Sequence, residues 1–334
     1  MLAAMKWMKG VYTMDTAAHT RQGVRTERKR ASVHNRTRKV LWCWLFIAPQ
    51  LILFLLFTVY PIVMSYVYAF FDWSGYGPLQ NFIGWRNFKE TMTDPLFWNA
   101  FRNSLVFMAW LVGIQVPLAL LLALLLNSSR MRGKVLYRTV YFLPVVTTTA
   151  VVGLVMRFIF GAYKGLANEV LMRIGLLDKP VDWLGSADTA MLIVILVGIW
   201  KSFGMKLIYW LAGIQSLPRE LFEAARIDGA SALQLFRYIT VPLLIPVGSV
   251  IILVSAVNAL HVFDLVKAMT EGGPAFKTDM VDVYIYRYAF SGQGEARVGF
   301  ASAAGVVYGI AVMFISLLLG ALVKLSGGRT NSGL

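Results

Sequence analysis

Six apolar stretches, each long enough at about 1.5 Å per residue to cross a hydrocarbon core of roughly 30 Å, set the class of fold open to this chain. They cover residues 41–69, 105–126, 140–160, 191–212, 243–263 and 301–323. In lipid no water is at hand to bond backbone N–H and C=O groups, so stretches of this length must be helices. The reading is an all-α polytopic membrane protein with six transmembrane helices. The third stretch is the least regular, since it holds Pro144, Thr147, Thr148, Thr149 and Arg157. Threonine hydroxyls and neighbouring helices can satisfy backbone groups that a proline frees, so it still counts as a span. Composition agrees: only 15% of the residues are charged, against about a quarter in a soluble domain.

The formal charge of +15 invites a nucleic-acid reading, but the placement of the bases argues against it. The tail before the first span, the second and fourth loops and the C-terminal tail together carry nineteen Lys and Arg against five Asp and Glu. The other three loops carry ten against twelve. Basic loops stay on the cytoplasmic side, so both termini are expected in the cytoplasm, with the chain in a bacterial inner membrane. The tail, residues 1–40, lacks an apolar core of signal-peptide shape, and the first span, residues 41–69, is too long for a cleaved one; it reads as an uncleaved anchor. An external segment (70–104), a core of five spans (105–323) and a cytoplasmic C-terminal tail (324–334) follow. Cys43 is the single cysteine, so no internal disulfide exists, and His19, His34 and His261 fit no metal spacing.

The loop between the fourth and fifth spans, residues 216–242, is more ordered than a tether needs to be. Pro218 suits a first helical turn, and Glu220 and Glu223 fall early in the helix, where its dipole favours carboxylates. Leu221, Ala224 and Ala225 make a narrow face of small residues on which another surface can seat closely. Gly229 fits a helix stop, and Ser231 with Gln234 forms a capping box for a second helix. That helix carries Ala232, Leu235, Phe236 and Ile239 on one face, and Pro242 is expected to end it before the fifth span. Two short helices hinged on a glycine make a rigid elbow.

Here the sequence resembles a known family. Glu223-Ala224-Ala225, then Gly229, then Ile239 and Val241-Pro242 is similar to the EAA loop of ABC importer permeases, with Val241 where leucine is usual. Asp228, Ala230, Phe236 and Pro246 match the carbohydrate-uptake branch. So do Asp72-Trp73, Phe97-Trp98, Arg102-Asn103, Gly272-Gly273-Pro274, Tyr286, Ala289, Phe290 and Gly299, over about residues 45–323. The resemblance implies a type I importer permease fold with a cytoplasmic coupling helix. It implies that Glu223, Ala224, Ala225, Asp228, Gly229, Ile239 and Pro242 contact an ATPase subunit, Glu223 as the charged contact and Gly229 as the bend. It also implies the partners: a second, non-identical permease, two ATPase subunits and an extracytoplasmic sugar-binding protein. The substrate would be a sugar or oligosaccharide. ATP and Mg would bind the partner ATPases, and this chain would hold no cofactor.

Polar groups inside the spans are candidates for the substrate path. Asn258 and Gln115 suit sugar hydroxyls and suit helix–helix hydrogen bonds equally. Tyr209, with Trp200 and Trp210, suits stacking on a sugar ring or packing. Arg157 is near enough to an interface to snorkel, and Trp200-Lys201 resembles what the family carries there. Lys206 has no intramembrane acid beside it; it either faces the path, favouring an anionic substrate such as a uronic-acid oligosaccharide or a glycerol phosphate, or snorkels. The chain has no G-x-x-x-x-G-K-[ST] and no nucleophile elbow, zinc motif or convergent carboxylate pair, which argues against an ATPase or a membrane enzyme. An ion-coupled secondary transporter would show intramembrane acids and internal repeats, and neither is evident.

Overall fold

The structure is a computed structural model and describes residues 42–128, 131–290 and 295–327. The basic tail (1–40), the expected span start at Leu41, Arg130 and residues 328–334 lie outside the described residues. The long helices are α1 (Trp42–Tyr68), α3 (Pro95–Asn127), α7 (Ala190–Gln215), α9 (Ala232–Leu260) and α12 (Val298–Gly327). Shorter ones are α2 (Arg86–Thr93), α4 (Lys134–Val146), α5 (Thr149–Ile159), α6 (Leu166–Arg173), α8 (Arg219–Ile227), α10 (Phe263–Met269) and α11 (Val281–Phe290). Among the described residues no strand forms; Phe71 and Phe82 make an isolated bridge. The chain divides into two units, residues 1–64 and 65–334. Of the first unit, the described part is one apolar helical rod.

The second unit is a helical bundle with three apolar centres. One gathers Phe107, Val194, Leu265 and Met269; a second Val116, Ala123, Leu207 and Trp210; a third Phe97, Leu260, Tyr284 and Tyr308. Helices approach closely where side chains are small, as expected when packing rather than water drives association. At Gly204 on α7 an added Cβ would stand 2.2 Å from the Tyr141 carbonyl oxygen, so only glycine lets α4 lie against α7.

Three departures from the expected spans each involve a proline, two of them inside the hydrogen-bond ladder and one at a helix start. The third span is not one straight helix. It breaks at Thr147-Thr148, both extended, and α4 and α5 meet at 97°. Pro144 cannot donate to the Val140 carbonyl a turn behind; at the end of α4 the Thr147 N–H turns to the Pro144 oxygen at 3.3 Å while its hydroxyl donates to the Leu143 oxygen at 3.2 Å, and the helix ends. The Lys201 ammonium then donates to the freed Val145 carbonyl at 3.1 Å, an explanation for that intramembrane charge that the sequence alone did not offer.

Second, Pro242 does not end the helix that begins at Ala232; the helix runs on into the fifth span. A π-turn at Phe236–Thr240 directly precedes Val241-Pro242 and widens the backbone where the proline ring would crowd the carbonyl of the preceding turn. The same arrangement recurs at Leu55–Val59 before Pro61 and at Leu111–Gln115 before Pro117. Third, α3 begins at Pro95, well ahead of the apolar run. Asp94 accepts from the Leu96 N–H at 2.8 Å and Pro95 sits where its missing donor costs nothing.

Candidate functional site

The elbow between α7 and α9 is built from backbone caps. The Asp228, Gly229 and Ala230 N–H groups donate to the Ala224, Arg226 and Ala225 carbonyls at 3.0, 3.1 and 2.9 Å, closing α8 in a Schellman turn. Gly229 has φ +82°, which a side chain would strain, and an added Cβ would meet open space. At the start of α9 the Ser231 N–H donates to Gln234 Oε1 at 2.7 Å, and the Gln234 N–H returns to Ser231 Oγ. One residue separates the two caps, so the corner has little freedom. The π-turn is tied further by the Thr240 hydroxyl, which donates to the Leu235 oxygen at 3.1 Å.

The elbow is closed within itself yet open outward. None of the α8 side chains is buried. Leu221, Leu233 and Tyr238 are exposed, and Ile227 is 86% exposed, a run of apolar surface at a loop that also carries Glu220, Glu223 and Asp228. Asp228, Gly229 and Ile239 share a concavity of about 290 Å³ with Ala230, Gln234 and Tyr238. Glu223 and Ala224 are exposed on α8, Ala225 is half-buried, and Pro242 is exposed inside α9. Of the seven residues singled out in the sequence, Asp228, Gly229 and Ile239 line the concavity, Glu223, Ala224 and Ala225 lie on α8 just before it, and Pro242 lies within α9 beyond the π-turn.

The intramembrane candidates do not form one site. Gln115 is fully buried, and its Nε2 donates to the Ile199 oxygen at 2.8 Å and to Ser202 Oγ at 2.7 Å, stitching α3 to α7. Lys206 is 5% exposed, one turn beyond Ser202 and one before Trp210, whose Nε1 bonds the Val116 oxygen at 3.0 Å. It thus shares the α3–α7 interface with Gln115. Tyr209 and Asn258 are exposed, on α7 and α9.

At the opposite end, side chains on α3 hold the loop before α11. Asn99 Nδ2 donates to the Phe276 oxygen at 2.7 Å, and Asn103 Nδ2 to the Lys277 and Asp279 oxygens at 3.1 and 3.0 Å. Asp279 is buried beside the Arg287 guanidinium, and burial pushes its carboxyl up to about 6 although the arginine pulls the other way. Glu90 on α2 grips Arg297, just before α12, through two 2.7 Å bonds, and that guanidinium holds the Glu90 carboxyl below its ordinary value. No sequence pattern pairs Asn99, Asn103 or Glu90 with their partners, which lie more than 170 positions away and leave no local signal.

Residues 115–332 match the family described as the binding-protein-dependent transport system inner membrane component. The chain belongs to this family. As one of these transport components it is a multi-pass inner-membrane protein, and its fold is that of an ABC importer permease, with six spans among the described residues when the bent α4–α5 pair is taken as one. It is 36% identical to a probable ABC transporter permease, YurN, of Bacillus subtilis, over 82% of this chain and 93% of that one. It is 34% identical to the lactose transport permease LacF of Rhizobium radiobacter, over 81% and 89% of the two chains. A crystal structure of a bacterial ABC transporter that imports the acidic polysaccharide alginate superposes with a TM-score of 0.75 at 27% identity, covering 86% of this chain and 96% of that one. The matched residues include the whole of the α7–α8–α9 corner.

Proposed function

We propose that the chain is one of two permease subunits of an ATP-driven importer of sugars or oligosaccharides. It would be served by an extracytoplasmic binding protein and coupled to ATPase subunits through the α8 elbow. The observation that carries this is the doubly capped corner at Gly229: a stiff, outward-exposed lever continuous with a span, in a transport component that has no nucleotide-binding motif. In this reading both termini and the elbow are cytoplasmic, ATP and Mg sit on the ATPases, and the second permease is a different chain. Movement of the ATPase pair pushes α8, and because α9 continues unbroken past Pro242 the push reaches the bilayer. Glu223 and Asp228 supply charge to the contact, and Leu221, Ile227 and Ala224 supply apolar surface. The sugar reading draws on the lactose and alginate relatives. Tyr209 and Asn258, exposed inside the spans, are the path candidates. Lys206, buried on the face of α7 that also carries Ser202 and Trp210, gives no ground for favouring an anionic substrate.

The test is reconstitution of the complete complex in vesicles, with sugar-loaded binding protein on the outer side. Uptake and stimulated ATP hydrolysis are expected from the wild type and lost together in Glu223→Lys, with insertion into the membrane unchanged. Full stimulation in that variant would remove Glu223 from the contact.

A further inference from the structure

We propose that the groove between α3, α7, α9 and α12 holds one acyl chain of an acidic phospholipid, with the phosphate between Arg237 and Lys324. The groove encloses about 410 Å³ and runs along α9 from Val241 to Ile252, a length of roughly 17 Å at the rise of an α-helix. Over that length the volume corresponds to a track about 5–6 Å wide for the centre of a water-sized sphere, and so to a slot of roughly 8 Å between the walls. A helix with its side chains needs about 10–12 Å and does not enter, whereas a single polymethylene chain, with carbon contacts of about 3.5–4.0 Å, fits.

The lining is suited to hydrocarbon. Leu120, Leu244, Ile252 and Leu319 form walls, and Trp210 lies against Gly248, where an added Cβ would meet the indole at 2.7 Å. Ser249 brings the one side-chain hydroxyl of the lining, and it is already donated to the Pro246 oxygen at 2.7 Å. A lipid tail gains little by leaving other tails for this groove, since both are apolar. Selection must come from shape and from the headgroup. Val241 on α9 and Val323 on α12 are the lining residues nearest the elbow and the C-terminal end of α12 in the chain. Arg237 stands one turn before the first and Lys324 directly after the second, both exposed, so two cations flank the place where a phosphate would emerge. The same helix carries the π-turn and the elbow, so a chain in the groove would brace α9 against α12 just beyond the corner that is pushed.

The inference rests on the cytoplasmic placement of the elbow proposed above. That placement is checked separately, by membrane-impermeant labelling of Arg237→Cys in sealed vesicles of known orientation. Native mass spectrometry of the purified permease–ATPase complex, supplied with phosphatidylglycerol and phosphatidylcholine, reads the groove itself. The wild type is expected to retain one phosphatidylglycerol per copy, with up to roughly thirtyfold preference, the size of effect two surface bases give. Ser249→Trp, which fills the bore, should lose it. Arg237→Gln with Lys324→Gln leaves the groove itself untouched and should bind both lipids alike. Equal retention of the two lipids by the wild type, or unchanged retention in Ser249→Trp, overturns the proposal. So does a photo-cross-linker at Ile245 that captures the second permease instead of lipid.

Discussion

Substitution at Gly229 separates backbone strain from every other effect, because an added Cβ touches nothing within 4 Å while the residue sits at φ +82°. Alanine there carries the left-handed penalty of about 1 kcal/mol or somewhat more, and asparagine, which visits that region routinely, carries less. Since about 1.4 kcal/mol is a factor of ten, alanine should lower the population of the intact corner about fivefold relative to the competing unwound forms. Proline is a different case. It fixes φ near −65° and deletes the N–H that donates to the Arg226 oxygen at 3.1 Å, for about 3 kcal/mol or more, over a hundredfold. The assay is sugar-stimulated ATP hydrolysis by the reconstituted complex, normalised to membrane-inserted protein. The expected order is glycine, then asparagine close behind, then alanine several-fold lower, then proline near the unstimulated rate. Equal stimulation from the proline and wild-type proteins would refute the claim that a stiff corner transmits the push.

Two further outcomes follow from packing and charge. Gly204→Ala forces a Cβ against the Tyr141 carbonyl and should cost about 1–3 kcal/mol, seen as a lower melting temperature in detergent; an unchanged melting temperature would contradict the close approach of α4 to α7. Arg297 depresses the Glu90 carboxyl from its ordinary 4.5, so this pair's contribution is complete above that value and is lost as pH falls through the depressed one. Both side chains are about 40% exposed, so the effect is modest; Glu90→Gln should flatten the wild-type decline in thermal stability below pH 4.5, and an identical decline in the two proteins would contradict it.

The number and rough extent of the spans were legible because apolar runs of that length have few alternatives in lipid. The elbow was legible too, since Gly229, Ser231 and Gln234 act through neighbours one to five positions away. What the sequence concealed was the effect of proline in context. Pro144 breaks a span, while Pro61, Pro117 and Pro242 sit inside continuous helices behind π-turns, and only the surrounding packing decides between the two outcomes. In the sequence Gln115 suits two roles, and the bonds its Nε2 donates to the Ile199 and Ser202 oxygens account for it as a link between helices. Lys201 and the Asn99, Asn103 and Asp279 loop contacts were equally hidden, because their partners are set by tertiary approach.

The central claim is that α8 rests on the ATPase. A photo-reactive residue replacing Glu223, in cells that also express the ATPase subunit, tests it most directly. A cross-linked product with the ATPase is expected, with a yield that changes when nucleotide is added. A residue at 223 that is instead labelled from outside intact spheroplasts by a membrane-impermeant reagent, with no ATPase product, would contradict it.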